Sequence, residues 1–343
     1  MIQEIRIKNY LSFRDEVVLN FEATKDTTFE ECQVVNVTPK VRLLRFALIY
    51  GANASGKSNL LNAIDFLCGF WFDKKSDLDE KTGVVPFLLD METPSEPSEF
   101  NIKFFIGDKR YWYILVLDDK QVIKENLYIY NSVQPSLVFS RELDGTASLV
   151  KLNASLVKAN TTIVEQLNVK CLSNMSFFAA RNQVNCSLAY IDDVCDWMKN
   201  NMMPIIEPGT KMFEYAGKQM EKNAELKAYI LDFVHKADYN ITDVYTEREK
   251  VPIPDFVKTS IMEDKDITEK AKEKVLTDNT FERLRTDFQH TVKNKRGEEH
   301  YRLPNSLQSE GTKRTFGIEA AIYEAIKTNG ILPIDEIESS LHP

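Results

Sequence analysis

The chain has 343 residues, of which 43% are hydrophobic and 28% charged, and its formal net charge at pH 7 is −9. At roughly 100 to 200 residues per domain, this length predicts two domains or one domain with a large insertion. The composition excludes disordered and collagen-like proteins, and the negative net charge excludes a uniformly basic nucleic-acid coat, so any DNA contact must be a local patch.

The cysteines and the hydropathy of the sequence indicate the cellular compartment of the protein. Five scattered cysteines without a C-x-x-C pair indicate neither a disulfide framework nor a zinc site. No apolar run approaches the roughly 20 residues that span a bilayer, and the charged, alternating N-terminus differs from a signal peptide. We therefore expect a cytoplasmic protein with no membrane partner.

The N-terminal region predicts strands followed by one helix. Apolar and polar residues alternate on both sides of Ser12–Asp15, which favours two strands around a turn, whereas residues 22–41 are polar and mixed. The apolar run Phe46–Tyr50 predicts a further strand, and helical spacing begins at Lys57. The apolar face of this helix consists of Leu60, Leu61, Ile64, Leu67 and Cys68.

The middle of the chain predicts a β meander and then a helical segment. The meander occupies residues 100–153, with turns at Gly107-Asp108 and Asp118-Asp119. From about 154 to 290 the apolar spacing is helical. Its two stripes, which we interpret as core faces, are Ile191, Val194, Cys195 and Met198, and Leu226, Tyr229, Ile230, Phe233 and Val234.

The C-terminal part predicts a helix followed by an apolar strand. Short strands at Phe288–Val292 and Tyr301–Leu303 precede a loop at Pro304–Gly311 and a helix that ends near Lys327. The apolar run Ile331–Ile334 then leads directly into two acidic residues.

The segment Gly51–Ser58 matches the pattern G-x-x-x-x-G-K-[ST] between a predicted strand and a predicted helix. Its glycines allow successive N–H groups to point inward at phosphate oxygens, next to the helix N-terminus. Lys57 would reach the β- and γ-phosphates, and the Ser58 hydroxyl would bind Mg²⁺. The predicted ATP-binding residues of this segment are Gly51, Asn53, Ala54, Ser55, Gly56, Lys57, Ser58 and Asn59.

The acidic pair Asp335-Glu336 distinguishes among the enzymes that share a phosphate loop. A strand beside the strand of that loop would place Asp335 near Ser58 and the metal, while Glu336 orients and deprotonates the attacking water. The DxxG and N-K-x-D patterns of GTPases are not apparent in the sequence. With Lys57 and Glu336 as the catalytic residues, the pair favours ATP hydrolysis; the alternative is a surface Asp-Glu pair.

A second anion site is predicted where the C-terminal helix begins. Ser309 and Gly311 form a Ser-x-Gly at the helix start, about twenty residues before the acidic pair. Two anion sites in one chain are explained if the second binds a nucleotide held by another subunit.

Three segments, GANASGKSNLL, SLQSEGTKR and ILPIDEIESSLHP, resemble the ABC-type ATPase heads of the RecF/SMC-like branch. The similarity is closest to AAA-type ATPases of the OLD and abortive-infection defence group, and it covers residues 1–72 and 301–343. It implies an α/β P-loop NTPase fold with a mixed sheet, an antiparallel β meander and a helical insertion. In that family two heads enclose two ATP molecules, and each P-loop faces the signature serine of the partner.

The resemblance implies that the chain is divided into three regions. Residues 1–153 would form the N-terminal ATPase lobe, 154–290 the helical insertion, and 291–343 the signature and acidic strand, truncated at its C-terminal end. The nucleotide site in one subunit would comprise Asn53, Gly56, Lys57, Ser58, Asp335 and Glu336. The partner subunit would contribute Ser309, Gly311 and the loop Ser339-Ser340-Leu341-His342.

The sequence departs from this family at four points. Leu11 stands where Arg or Lys often follows the Asn-aromatic pair, and residues 85–87 occupy the region of an absent Q-loop glutamine. Pro333 lacks the N–H of a ladder bond, so we expect the acidic strand to be shifted or deformed there. The switch histidine is absent because the sequence stops seven residues after Glu336. From the missing histidine and the uncovered sheet edge we expect weak ATP binding, slow hydrolysis or none, and aggregation through the open edge.

The function implied by the resemblance is an ATP-hydrolysing head that dimerises on binding ATP. It would regulate a nuclease effector or a DNA transaction in antiphage defence. Two alternatives stay open: a RecF-like DNA-repair clamp, and a nonhydrolysing ATP-gated binding module whose acidic strand is deformed at Pro333.

Overall fold

The computed structural model describes the chain except for residues 146, 238–239, 265–266, 270–271, 274–276, 278 and 340–343. Two compact units are present. The first comprises Met1–Ile206 and Thr328–Asp335; the second comprises Glu207–Lys327 and continues from Glu336. The expected domain boundaries at residues 153 and 290 stay a prediction.

Strands and helices alternate in groups along the described chain. The strands are β1 (Ile2–Lys8), β2 (Val17–Asn20), β3 (Val34–Thr38), β4 (Val41–Leu44), β5 (Ser98–Ile106), β6 (Lys109–Leu117), β7 (Val122–Tyr130), β8 (Ser136–Asp144), β9 (Ala147–Leu152), β10 (Asp243–Pro252), β11 (Thr280–Asn294) and β12 (Gly297–Pro304). The helices are α1 (Glu30–Gln33), α2 (Lys57–Phe70), α3 (Thr161–Lys170), α4 (Phe177–Arg181), α5 (Ile191–Asn201), α6 (Phe213–Lys222), α7 (Ala224–Lys236), α8 (Asp255–Glu263) and α9 (Glu310–Thr328).

The first unit contains a seven-stranded antiparallel sheet of order β2-β1-β5-β6-β7-β8-β9. Strands β5 to β9 pair consecutively, which confirms the predicted meander. In β5 the alternating residues Phe100, Ile102 and Phe104 are buried, because successive side chains of a strand point to opposite faces. This α/β architecture agrees with the fold class expected from the sequence.

Helix α2 packs its apolar face into the core of the first unit. Leu60, Ile64 and Leu67 are buried as predicted, whereas Leu61 and Cys68 are only partly buried. The 3.6-residue period explains the buried face, and this packing anchors the helix whose N-terminus follows the phosphate loop.

A buried ion pair connects the meander to the start of α4. Glu125 and Arg141 are fully buried, and Arg141 Nη1 lies 3.5 Å from Glu125 Oε2. Glu125 accepts hydrogen bonds from the Tyr113 hydroxyl, the Ser176 hydroxyl and the Phe177 N–H. Burial, followed by the Glu125 carboxylate, raises the pKa of Tyr113 well above its usual value. The carboxylate of Glu125 and the guanidinium of Arg141 both have hydrogen-bond partners, because a buried charge without a partner would be strongly destabilising.

The second unit combines a three-stranded antiparallel sheet, β10-β11-β12, with helices. Its core contains Phe288 of β11 and Phe316 of α9, whose rings meet edge to face at 4.9 Å. The predicted stripe on α7 is confirmed at Leu226, Ile230 and Val234, which are buried. In the first unit, the predicted stripe on α5 is buried in full.

The expectation that residues 154–290 are helical is wrong in part, because β10 and most of β11 lie within this range. In β11 the residues Leu284, Thr286, Phe288 and Val292 alternate with polar residues, which is the period of a strand. Charged residues between them concealed this alternation.

The predicted strand Phe46–Tyr50 is not a strand among the described residues. Its backbone forms no ladder, and Phe46, Leu48 and Tyr50 are 61%, 64% and 88% exposed. An apolar run becomes a buried parallel strand only where hydrogen-bonded neighbours exist on both sides. The apolar composition of Phe46–Tyr50 therefore did not suffice to make it a strand, because the neighbouring strands it would pair with are not formed among the described residues.

The predicted strand Ile331–Ile334 forms two isolated parallel bridges with the segment 202–206. Its carbonyl at Pro333 accepts from Ile206 N–H at 3.0 Å. Pro333 and Pro204 both lack an N–H, so a continuous ladder cannot form. The expected deformation at Pro333 is thus confirmed.

Sequence reasoning also missed the hairpin of β3 and β4. Strand β3 is rich in β-branched residues, with three valines and a threonine in VVNVT, and Pro39-Lys40 follows as a turn. The signal was therefore present within the segment interpreted as polar and mixed. Within the described residues, no helix combines the length and apolarity needed to cross a membrane.

Candidate nucleotide-binding site

The predicted phosphate loop lies directly before α2 in the first unit. Ala54 and Gly56 have φ values of 61° and 93°, so the backbone curls through left-handed conformations. Helix α2 begins at Lys57 and has no side-chain cap. The Lys57 ammonium folds back into the loop and donates to the carbonyl oxygens of Gly51 and Ala52, both at 2.9 Å.

These features fit a phosphate group. An uncapped helix N-terminus leaves the N–H groups of its first turn for another acceptor, and its dipole favours an anion. The Lys57 ammonium, whose acceptors among the described residues are two neutral carbonyls, adds a positive charge at the same loop. Bound ATP would supply the phosphates, held by the loop amides, by Lys57 and by the Ser58 hydroxyl.

The turn between β1 and β2 packs against the phosphate loop. A Cβ at Gly56 would lie 2.7 Å from the Phe13 ring and 3.0 Å from the Ser12 hydroxyl. Asn59 Nδ2 donates to Ser12 Oγ at 2.8 Å, which ties the first turn of α2 to the same segment. Sequence reasoning did not identify Ser12 and Phe13 as supports of the loop, because their contact with Gly56 is tertiary.

Asn9 and Tyr10 extend this support. Buried Asn9 donates through Nδ2 to the carbonyls of Thr93 and Glu96, and its Oδ1 accepts from Phe87 N–H. The Tyr10 hydroxyl donates to a carbonyl of α2, and burial, with Asp65 as a smaller cause, raises the pKa of Tyr10 to about 12. The turn therefore connects α2 with the loop that precedes β5.

Replacing Gly56 by alanine is expected to weaken nucleotide binding at least tenfold. A Cβ there would meet the Phe13 ring, and a φ of 93° strains any L-residue, which costs about 1–3 kcal/mol. Gly69→Ala is the matched control, because Gly69 lies in α2, the helix that Gly56 precedes, and its Cβ would enter open space. Titration calorimetry measures the affinity; equal values for both variants would contradict this packing.

Asp335 is anchored in the first unit, as the phosphate loop is. Its N–H donates to Ile206 O at 2.9 Å, which fixes the end of the bridged segment. Among the described residues no group of three or more acidic, histidine or cysteine side chains could hold a metal alone. The assignment of Ser58 and Asp335 as the protein ligands of Mg²⁺, with phosphate oxygens and water completing the coordination, stays a prediction.

Glu336 belongs to the second unit, so the chain passes from one unit to the other within the acidic pair. Glu336 has a φ of 44°, a left-handed conformation that is strained for a residue with a Cβ. Its carbonyl oxygen accepts from Arg314 Nη2 at 3.1 Å and from Ser339 N–H at 2.8 Å. The side chain is exposed, and its predicted role as the general base stays a prediction.

Ser309 lies immediately before α9 in the second unit. Its hydroxyl oxygen accepts from Thr312 N–H at 3.0 Å and caps the helix, and Gly311 follows in the first turn. This cap already occupies one first-turn N–H, so the predicted anion site at this helix start, and the partner subunit it would serve, stay a prediction. Of the predicted loop Ser339-Ser340-Leu341-His342, only Ser339 lies among the described residues.

Comparison with known proteins shows that the chain contains a P-loop ATPase domain. The profile of one protein family matches residues 46–154 and 214–343, and its description is "AAA domain, putative AbiEii toxin, Type IV TA system". The match includes the phosphate loop, the Ser309 segment and the acidic pair, and the chain belongs to this family.

Two further comparisons concern single proteins. The SMC head domain from Thermotoga maritima is similar at 12% sequence identity, with a TM-score of 0.39, over 99% of this chain and 79% of that chain. No curated protein sequence matches this chain significantly.

Proposed function

We propose that this protein binds ATP with Mg²⁺ at the P-loop, hydrolyses it with Glu336 as the general base, and dimerises on binding ATP. The observation that supports this most directly is the Lys57 ammonium folded into a loop at an uncapped helix N-terminus. Membership of an AAA-domain family adds support for ATP as the nucleotide.

The dimer is part of the proposal because Ser309 and Gly311 present a second helix N-terminus at α9. An anion site on a second element is useful when it contacts a nucleotide bound by another subunit. The proposed outcome of dimerisation is regulation of a nuclease effector or of a DNA transaction in antiphage defence, which the resemblance to the OLD and abortive-infection group supports.

The experiment compares wild type, Glu336→Gln and Glu336→Gln/Ser309→Arg by phosphate release and light scattering with ATP and Mg²⁺. We expect Glu336→Gln to bind ATP, to lose turnover and to shift from monomer toward dimer. The bulky cation at position 309 should abolish this shift with ATP affinity nearly unchanged. A mass independent of ATP in all three proteins would contradict the dimer.

A nonhydrolysing ATP-gated binding module is the second candidate. The interrupted pairing around Pro333 and the strained φ of Glu336 favour it, since both distort the segment that carries the acidic pair. Nucleotide binding without phosphate release by the wild type would select this candidate over hydrolysis.

A further inference from the structure

Arg314, in the second turn of α9, links that helix to two separate segments of the second unit. Its Nη1 donates to the carbonyl oxygens of Pro208 at 2.9 Å and Glu207 at 3.4 Å. Its Nη2 donates to the carbonyl oxygen of Glu336 at 3.1 Å. A planar guanidinium can serve several acceptors at once in fixed directions, which makes this residue a bridge between main-chain segments.

Helix α9, which carries Arg314, is closely packed against the segment before α6. A Cβ at Gly317, one turn further along α9, would lie 2.9 Å from the carbonyl carbon of Met212. Met212 therefore lies directly against the helix backbone at Gly317, and only glycine permits this approach. Because Ser309 caps the same helix, Arg314 and the predicted anion site are carried by one rigid element.

Glu336 depends on such a contact more than an ordinary residue does. Its left-handed φ of 44° is unfavourable for a side chain with a Cβ and persists only where surrounding contacts impose it. The contacts at its carbonyl come from Arg314 and from the N–H of Ser339. The exposed carboxylate is thus oriented by the main chain that Arg314 holds.

We propose that Arg314 is a positioning residue for Glu336 and that it transmits the position of the Ser309 helix to the carboxylate. This inference rests on the proposed function, in which Glu336 is the general base and Ser309 contacts a nucleotide. In this role Arg314 acts through the main chain, because it holds the carbonyl of the residue from which the base projects. Movement of α9 on nucleotide binding would therefore move the base.

The test compares Arg314→Gln, Arg314→Lys and the control Arg248→Gln, an arginine of the same unit whose partners are the surface carboxylates Glu221 and Glu282. For Arg314→Gln we expect kcat to fall on the order of 100-fold, as for a misplacement of about 1 Å. ATP affinity, measured in the Glu336→Gln background, should change less than threefold. Arg314→Lys should recover part of the turnover, and the control should match wild type.

A second readout needs no nucleotide. Because Ser339 N–H bonds to the carbonyl that Arg314 holds, hydrogen exchange of this amide should be at least fivefold faster in Arg314→Gln than in wild type or in the control. Adding Arg314→Gln to Glu336→Gln should not lower the residual turnover further, since both changes act through the same carboxylate.

Turnover and exchange equal to those of the Arg248→Gln control would overturn the role of Arg314 and leave the proposed function standing. An equal loss of ATP affinity and kcat would also overturn it. A wild-type protein that binds ATP without turnover removes the proposed hydrolysis and this inference together. If thermal unfolding shows that Arg314→Gln does not fold, the same measurements on Arg314→Lys decide.

Discussion

Replacing Lys57 by alanine is expected to abolish measurable ATP binding. The ammonium is the cation within the phosphate loop, and charge-assisted hydrogen bonds of this kind contribute about 1.5–3 kcal/mol each. Loss of two such bonds would weaken affinity by roughly a factor of 100 to 10,000, since 1.36 kcal/mol corresponds to tenfold. Titration calorimetry with ATP and Mg²⁺ measures the change.

The control for this variant is Lys40→Ala, which removes an exposed lysine from the turn between β3 and β4 in the same unit. It changes the net charge equally and should leave ATP affinity unchanged. Thermal unfolding should show nearly equal stability for both variants, because in the part of the chain that the structure describes Lys57 bonds to two exposed loop carbonyls. Unchanged affinity in Lys57→Ala would overturn the assignment of the phosphate loop.

Replacing Glu125 by glutamine is expected to lower the free energy of unfolding by about 3–5 kcal/mol. The change leaves the buried Arg141 guanidinium without its counter-charge, and removing one partner of a buried ion pair costs this much. The new amide group also faces the Ser176 hydroxyl and the Phe177 N–H, which both donate to the present carboxylate. Urea unfolding followed by circular dichroism measures the difference.

Two further variants distinguish the contribution of the ion pair to stability from the effect of replacing a glutamate by glutamine. Glu142→Gln makes the same chemical change at an exposed position of β8 and should alter stability by less than about 0.5 kcal/mol. Glu125→Gln/Arg141→Met removes both charges and should be more stable than Glu125→Gln alone. If Glu125→Gln matched the Glu142 variant, the pair would have no structural importance.

Local patterns were predictable because they depend on near neighbours in the sequence. The face of α2 and the stripe on α5 follow from the helical period, and the meander follows from alternation between turn residues. The left-handed turn of the phosphate loop at Gly56 follows from the G-x-x-x-x-G-K-[ST] pattern, whereas the left-handed φ of Ala54 has no glycine to indicate it.

Elements whose state depends on distant partners were not predictable in this way. The run Phe46–Tyr50 has the composition of a buried strand, yet it is exposed because no neighbouring strand bonds to it among the described residues. The run Ile331–Ile334 finds a neighbour in the segment 202–206, which the helical spacing around it concealed.

The sequence by itself identified the residues predicted to carry the chemistry: a phosphate loop with Lys57 and Ser58, an acidic pair, and a serine at a helix start. The tertiary structure alone decided how these parts are held. It placed Phe13 under Gly56 and bonded Arg314 to a carbonyl 22 residues away. Residue types and short spacings specify which groups can react, whereas main-chain contacts between remote segments arise only when the chain packs.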